Sequence, residues 1–193
     1  MADAQPDISI DPAAFREAIA HFATGVTVIT TLRDDGTPAG MTASAVTSVS
    51  LDPVLLLVCI NNRLPTHRAI EASRRFVVNV LGEGQEELAL RFARSGIDKF
   101  AGVELVPGTE LPILADAIAH FTCDVHERFP GGDHSIFIGL VRECAAVPGK
   151  RPLVYFKSGF GALRDPESEL LRETLGWDMP SLSGATPVVR PQP

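Results

Sequence analysis

Residues 40–66 read GMTASAVTSVSLDPVLLLVCINNRLPT and constrain the fold more than any other stretch of the chain. Hydroxyl residues Thr42, Ser44, Thr47, Ser48 and Ser50 are set in a β-branched run, an apolar run over 54–60 follows, and Asn61-Asn62 leads into a helix start. β-Branched residues suit the pleated, half-buried surface of a sheet. Two strands are therefore predicted, broken at Leu51-Asp52-Pro53. A half-buried strand with Thr and Ser where a core would hold Val or Leu offers hydroxyl and backbone groups to something flat and polar. The stretch is expected to be a ligand wall. The 54–60 strand has no polar alternation, so it is expected to be central and covered on both faces.

The flanks place this wall in a mainly β chain with small helices. Asp11-Pro12 has the form of a helix start, an N-cap acceptor followed by a proline at the first helical position. Phe15, Ala18, Ile19 and Phe22 share one helical face, and Gly25 is expected to end the helix. Residues 26–32 are rich in Val, Ile and Thr and read as a strand that turns at Arg33-Asp34-Asp35-Gly36 into the wall. Residues 65–70 predict a short helix. Its first turn, with Thr66 and with Arg63 or Arg68 nearby, is a candidate phosphate seat, although a threonine there also serves as a plain cap. A strand over 76–81, a helix over 85–92 and a loop over 95–100 follow. Residues 103–106 turn at Pro107-Gly108, and residues 115–129 and 134–146 form a long hairpin about Pro130-Gly131-Gly132-Asp133. A last strand covers 152–156, and a short helix carrying Leu170, Leu171 and Leu175 precedes a proline-rich tail. Many short antiparallel strands with small helices predict a closed or nearly closed β-barrel with helical lids.

Charge and motif content narrow the function. A chain of 193 residues has room for one domain with a sizeable core. Its net charge of −7 argues against a nucleic-acid partner, which calls for a basic patch. MADAQPDISI lacks a basic start followed by an apolar core, so no secretory signal is expected. No run approaches the roughly 18 apolar residues of a membrane helix. A cytoplasmic location is the expectation. Cys59, Cys123 and Cys144 lie far apart in apolar runs without CxxC spacing, which predicts buried free thiols and no metal site. A dinucleotide fingerprint is missing, since Gly82/Gly84 and Gly159/Gly161 lack the third glycine, and there is no P-loop, HExxH or GxSxG.

Six segments in order carry a family resemblance: FATGVTVITT at 22–31, GMTASAVTSVSLDP at 40–53, FVVNVL at 76–81, DKFAGV at 98–103, GDHSIFIGLV at 132–141, and PLVYF with GFGAL at 152–163. Together the segments resemble the flavin reductase family with the FMN-binding split-barrel fold, the NAD(P)H:flavin oxidoreductases that supply reduced flavin to a separate flavin-dependent monooxygenase. The resemblance implies a split β-barrel domain, set at 11–164; the flexible N-terminus over 1–10 and the short helix with a proline-rich tail over 165–193 are read from the residues, and the resemblance does not cover the tail. A homodimer is implied as well.

Site residues follow from the same resemblance. The isoalloxazine is expected against Met41, Thr42, Ala43, Ser44 and Thr47, with Asn61 facing the ribityl chain. Ser48, Thr66 and Lys99 would hold the flavin phosphate, and Phe100 would close over the ring or anchor its own loop in the core. His134, from the GDH motif, would border the nicotinamide. Read alone, Lys99 is an ordinary loop lysine and His134 an ordinary turn residue. Many relatives carry Ser or Arg where this chain has Leu64-Pro65. FMN and FAD, and NADH and NADPH, are left open, because nothing in the sequence addresses the groups that distinguish them. Hydride transfer to a flavin needs no nucleophile from the protein, only two rings held about 3–3.5 Å apart. A passive flavin- or haem-binding module and a flavoprotein oxidase with tightly bound FMN are the competing readings.

Overall fold

The computed structural model describes residues 10–163. Helix α1 (Pro12–Ile19) starts as expected: Asp11 is the N-cap, and its carboxylate accepts from the Ala13 N–H at 3.0 Å. The helix stops at Ala20, however, and Gly25 lies in the two-residue strand β1 (Thr24–Gly25). Strand β2 (Thr27–Leu32) turns through Gly36, whose φ is 78°, into β3 (Pro38–Ala43). The wall continues as β4 (Val46–Leu51) and β5 (Val54–Asn61), and α2 (Pro65–Ser73) follows. Next come β6 (Arg75–Val80), α3 (Glu86–Ala93), and the long hairpin β7 (Ala119–Gly131) and β8 (His134–Ala146). Two short strands, β9 (Leu153–Phe156) and β10 (Gly159–Ala162), end the described chain.

Seven strands form one antiparallel sheet in the order β3-β2-β6-β7-β8-β5-β4. Its two edges, β3 and β4, are consecutive in the chain and joined only by Ser44-Ala45, so the sheet must curl round until its edges meet. β3 indeed approaches β5 across the gap. The result is a barrel split between β3 and β4. All seven strands send side chains to its interior, among them Ile29, Met41, Val46, Val58, Phe76, Cys123 and Phe137. Close packing there leaves no space at Gly139, where a Cβ would stand 2.6 Å from the Phe76 ring. Outside the barrel, α3 and the loops pack Phe92, Leu88 and Phe100 onto Val26, Val28 and Leu81 as a second core. Strand β2 is thereby covered on both faces. The small sheet β1-β9-β10 adds Leu153 and Phe160 to that layer.

Several expectations are corrected. Strand β5 is one place from the sheet edge and alternates: Leu56, Val58 and Ile60 point into the barrel, whereas Leu55, Leu57 and Cys59 are only half-buried. Its unbroken apolar sequence reflects an outer face that the described residues leave partly open. Residues 103–106 form no strand, only a bridge between Leu105 and Leu114. Only Cys123 is buried, and burial pushes its thiol up to about 12. Cys59 is half-buried and Cys144 exposed, the latter on the end of β8 that runs beyond the barrel. Of the expected shared face, Phe15 and Ile19 lie on α1 and are exposed, and Phe22 lies beyond the helix end and is exposed as well. The helix expected after Asp165-Pro166, the proline-rich tail and residues 1–9 lie outside the described residues. No described helix is long and apolar enough to cross a membrane.

Candidate functional site

A cavity of about 460 Å³ opens where β3, the start of α2 and the loop after α3 converge, within the size range of small-molecule sites. β3 supplies Pro38, Gly40, Met41 and Thr42, and the β2–β3 turn supplies Arg33. Leu64, Pro65 and Thr66 come from the approach to α2, and Phe92, Ala93 and residues 95–100 from the end of α3 and the loop behind it. Gly40 is required by packing: a Cβ there would meet the Phe92 ring at 2.7 Å.

The polar groups of the cavity are tied to the fold. The Thr42 hydroxyl donates to the Ala89 carbonyl at 2.6 Å, joining β3 to α3. Lys99 Nζ donates to the carbonyls of Phe92 at 2.7 Å and Gly40 at 3.0 Å, so one ammonium pins the loop to both α3 and β3. Burial lowers the Lys99 pKa, and the neighbouring Arg33 lowers it further. Phe100 lines the cavity and also stands edge-on to Phe92 with ring centres 5.0 Å apart. At the other wall, Pro65 occupies the start of α2, where its fixed φ suits the first helical turn. Leu64 takes the N-cap place without a capping side chain, so Thr66 is not the helix cap. This uncapped first turn presents the positive end of the helix dipole to the cavity, as an anion site requires.

Five of the expected residues, Met41, Thr42, Thr66, Lys99 and Phe100, therefore line one cavity. The others stand elsewhere. Ala43 is buried in the barrel. Ser44, Thr47 and Ser48 are exposed along the split between β3 and β4. Asn61 is paired with His134 in the β5–β8 ladder, and its side-chain oxygen accepts from the Arg63 N–H at 3.0 Å. His134 stands at the mouth of the β7–β8 hairpin, its Nδ1 2.7 Å from Asp133 Oδ1, a contact that holds the Asp133 carboxyl below its usual range. Arg33 was missed as a site residue. Its Nη1 donates to Pro38 O at 2.6 Å and to Thr37 Oγ1 at 3.0 Å, bringing a second cation to the cavity. A basic residue opening the turn into the wall was its signal in the sequence.

The residues present fit a flavin. Met41, Leu64, Phe92 and Phe100 offer apolar walls to a flat ring, and Lys99, Arg33 and the start of α2 offer positive charge to a phosphate.

Comparison with known proteins gives a consistent result. Residues 19–164 match the family model described as the flavin reductase like domain. The reductase component of 4-nitrophenol 4-monooxygenase/4-nitrocatechol 2-monooxygenase from Rhodococcus opacus is 46% identical over 152 residues, covering 79% of this chain and 81% of that protein. Among solved structures, the NADH:FAD oxidoreductase of Streptomyces globisporus C-1027, in complex with NAD and FAD fragments, superposes with a TM-score of 0.76 at 37% identity, covering 81% of this chain and 94% of the other. Component B of nitrilotriacetate monooxygenase from Mycobacterium thermoresistibile also gives 0.76, at 38% identity, covering 80% and 87%.

Proposed function

Because this chain belongs to the flavin reductase like domain family, we propose that it is an NAD(P)H:flavin oxidoreductase that supplies reduced flavin to a separate monooxygenase component. The observation that carries this reading is the cavity itself, which joins apolar walls to two cations and an uncapped helix start. A flavin bound here would supply the electron-accepting chemistry for hydride transfer from a nicotinamide. The protein's own residues bind, orient and exclude water.

The flavin ring is assigned to the strand pair that carries Met41, Thr42, Ala43, Ser44 and Thr47, the ribityl chain to Asn61, and the phosphate to Ser48, Thr66 and Lys99. Phe100 covers the ring from its loop, and His134 borders the nicotinamide. Ser44, Thr47 and Ser48 are exposed in the single chain, so this assignment leaves the ring's outer side to a second copy. A homodimer is inferred on the same ground, since the adjoining Val49, Leu51 and Val54 are exposed apolar residues. A stable monomer in sedimentation at micromolar concentration would count against it. Cytoplasmic action and assignment to the EC 1.5.1 class go with this reading. The names of the relatives make NADH and FAD the pair to test first.

The deciding experiment is NADH and NADPH oxidation with FMN, FAD and riboflavin. Saturable turnover of free flavin is the expected result. A tightly bound, stoichiometric flavin without turnover would replace the proposal with a passive binding module or an oxidase.

A further inference from the structure

Behind the first turn of α2 runs a polar chain, buried at His67 and Ser135, that the flavin reading does not use. His67, the third residue of α2, is 5% exposed, and Ser135 is 4% exposed. Ser135 Oγ donates to Asn62 Oδ1 at 2.9 Å and lies 2.8 Å from His67 Nε2. A hydroxyl has one proton to give. Having given it to Asn62, Ser135 accepts from His67 Nε2–H, which in the neutral imidazole sets the tautomer and leaves Nδ1 bare. That bare nitrogen has no hydrogen-bond partner and stands 3.4 Å from Glu71 Oε2. The other Glu71 oxygen meets Arg128. Asn62 extends the chain to the hairpin, its N–H donating to Asp133 O at 3.0 Å.

The placement of this chain matters more than its strength. Pro65 and Thr66, just before His67, line the cavity, and His134, just before Ser135, stands at the hairpin mouth. An apolar pair would hold α2 on β8 without desolvating the His67 and Ser135 side chains. Directional hydrogen bonds add a fixed relative position, which matters where two ligands must be aligned closely.

We propose that His67 is a positioning residue: the His67–Ser135–Asn62 chain sets the first turn of α2 against the hairpin mouth, so that the flavin-facing turn and His134 keep a constant separation. The proposal rests on the reading of the cavity as a flavin site. Its test compares wild type, His67→Ala, His67→Gln, Ser135→Ala and the Ala double variant for FAD Kd, NADH KM and kcat, and Tm. His67→Ala is expected to raise FAD Kd and NADH KM together by roughly 5- to 20-fold, the size of one buried hydrogen bond. Gln, which carries a donor near the place of Nε2, should return both to within about 3-fold of wild type. Ser135→Ala should match His67→Ala, and the double variant should lose no more than either alone. A purely structural role moves Tm and leaves the folded protein's constants alone. Kd and KM within about 2-fold of wild type in folded His67→Ala, additive losses in the double variant, or no recovery with Gln would each overturn the proposal. If His67→Ala does not fold, His67→Gln and Ser135→Ala carry the same comparison. A wild type that turns over no flavin removes the flavin reading and this inference with it. Normal wild-type turnover with indifferent variants removes this inference alone.

Discussion

The cavity wall and the hairpin mouth hold their polar groups on different terms. At the wall, Lys99 and Thr42 spend their hydrogen bonds on backbone carbonyls of α3 and β3, so the groups that face a ligand also hold the elements together. At the mouth, His134 is part-exposed, and among the described residues its side chain is paired with the neighbouring Asp133. Fold and function share residues in the first place and are separable in the second. Substitutions at the wall should therefore disturb stability and flavin binding together, and substitutions at the mouth should disturb kinetics alone.

The largest effect is expected from Lys99→Met, which removes two charge-assisted hydrogen bonds from part-buried carbonyls at a cost of about 3 kcal/mol. Thermal unfolding and flavin titration should both register it. Loss of flavin affinity with an unchanged Tm would break the comparison, because it would free Lys99 from any structural duty. His134→Ala is the opposite case. Losing one positioning hydrogen bond should cut kcat/KM for NADH by roughly 5- to 150-fold, with stability within about 0.5 kcal/mol of wild type and flavin Kd unchanged. A variant that loses Tm and both ligands together would show that His134 serves only the turn.

Thr42→Val sharpens the wall side. The shape is kept and the bond to the Ala89 carbonyl is lost, so unfolding in denaturant should show a loss of about 1 kcal/mol and a smaller weakening of flavin binding. Unchanged stability would mean that the β3–α3 link adds nothing. The smallest effect concerns pH. Burial holds the His67 imidazole below its ordinary value of 6.5, opposing the pull of Glu71 and reinforced by Arg128 and Arg68. As pH falls through 6.5 the unfolded chain takes up this proton first, so the contribution is complete above 6.5 and is lost as pH drops toward the lower folded value. Tm measured against pH should show this component in wild type, and His67→Gln should lack it.

Much of this was readable before any coordinates. Asp11 capping α1, Gly36 at the β2–β3 turn and Pro65 opening α2 are local events, decided by one residue's preferred dihedrals or one side chain's reach. The β-branched runs marked β2, β6 and the wall for a similar reason, since side-chain shape alone favours the pleated surface. The six matching segments added the family, and with it the barrel.

What tertiary structure decided was coverage and partnership. An apolar run such as 54–60 does not state how many of its faces another layer will cover, and β5 came out half-open because it lies next to the sheet edge. The apolar face of α1 was periodic in the sequence yet exposed in the fold, because nothing local reveals whether a facing surface exists. Likewise Thr42, Lys99 and His67 are ordinary residues by type. Their carbonyl and hydroxyl partners lie 47, 59 and 68 positions away for Ala89, Gly40 and Ser135. A hydrogen bond depends on distance and direction, and for residues so far apart in the chain only the closing of the barrel brings donor and acceptor together.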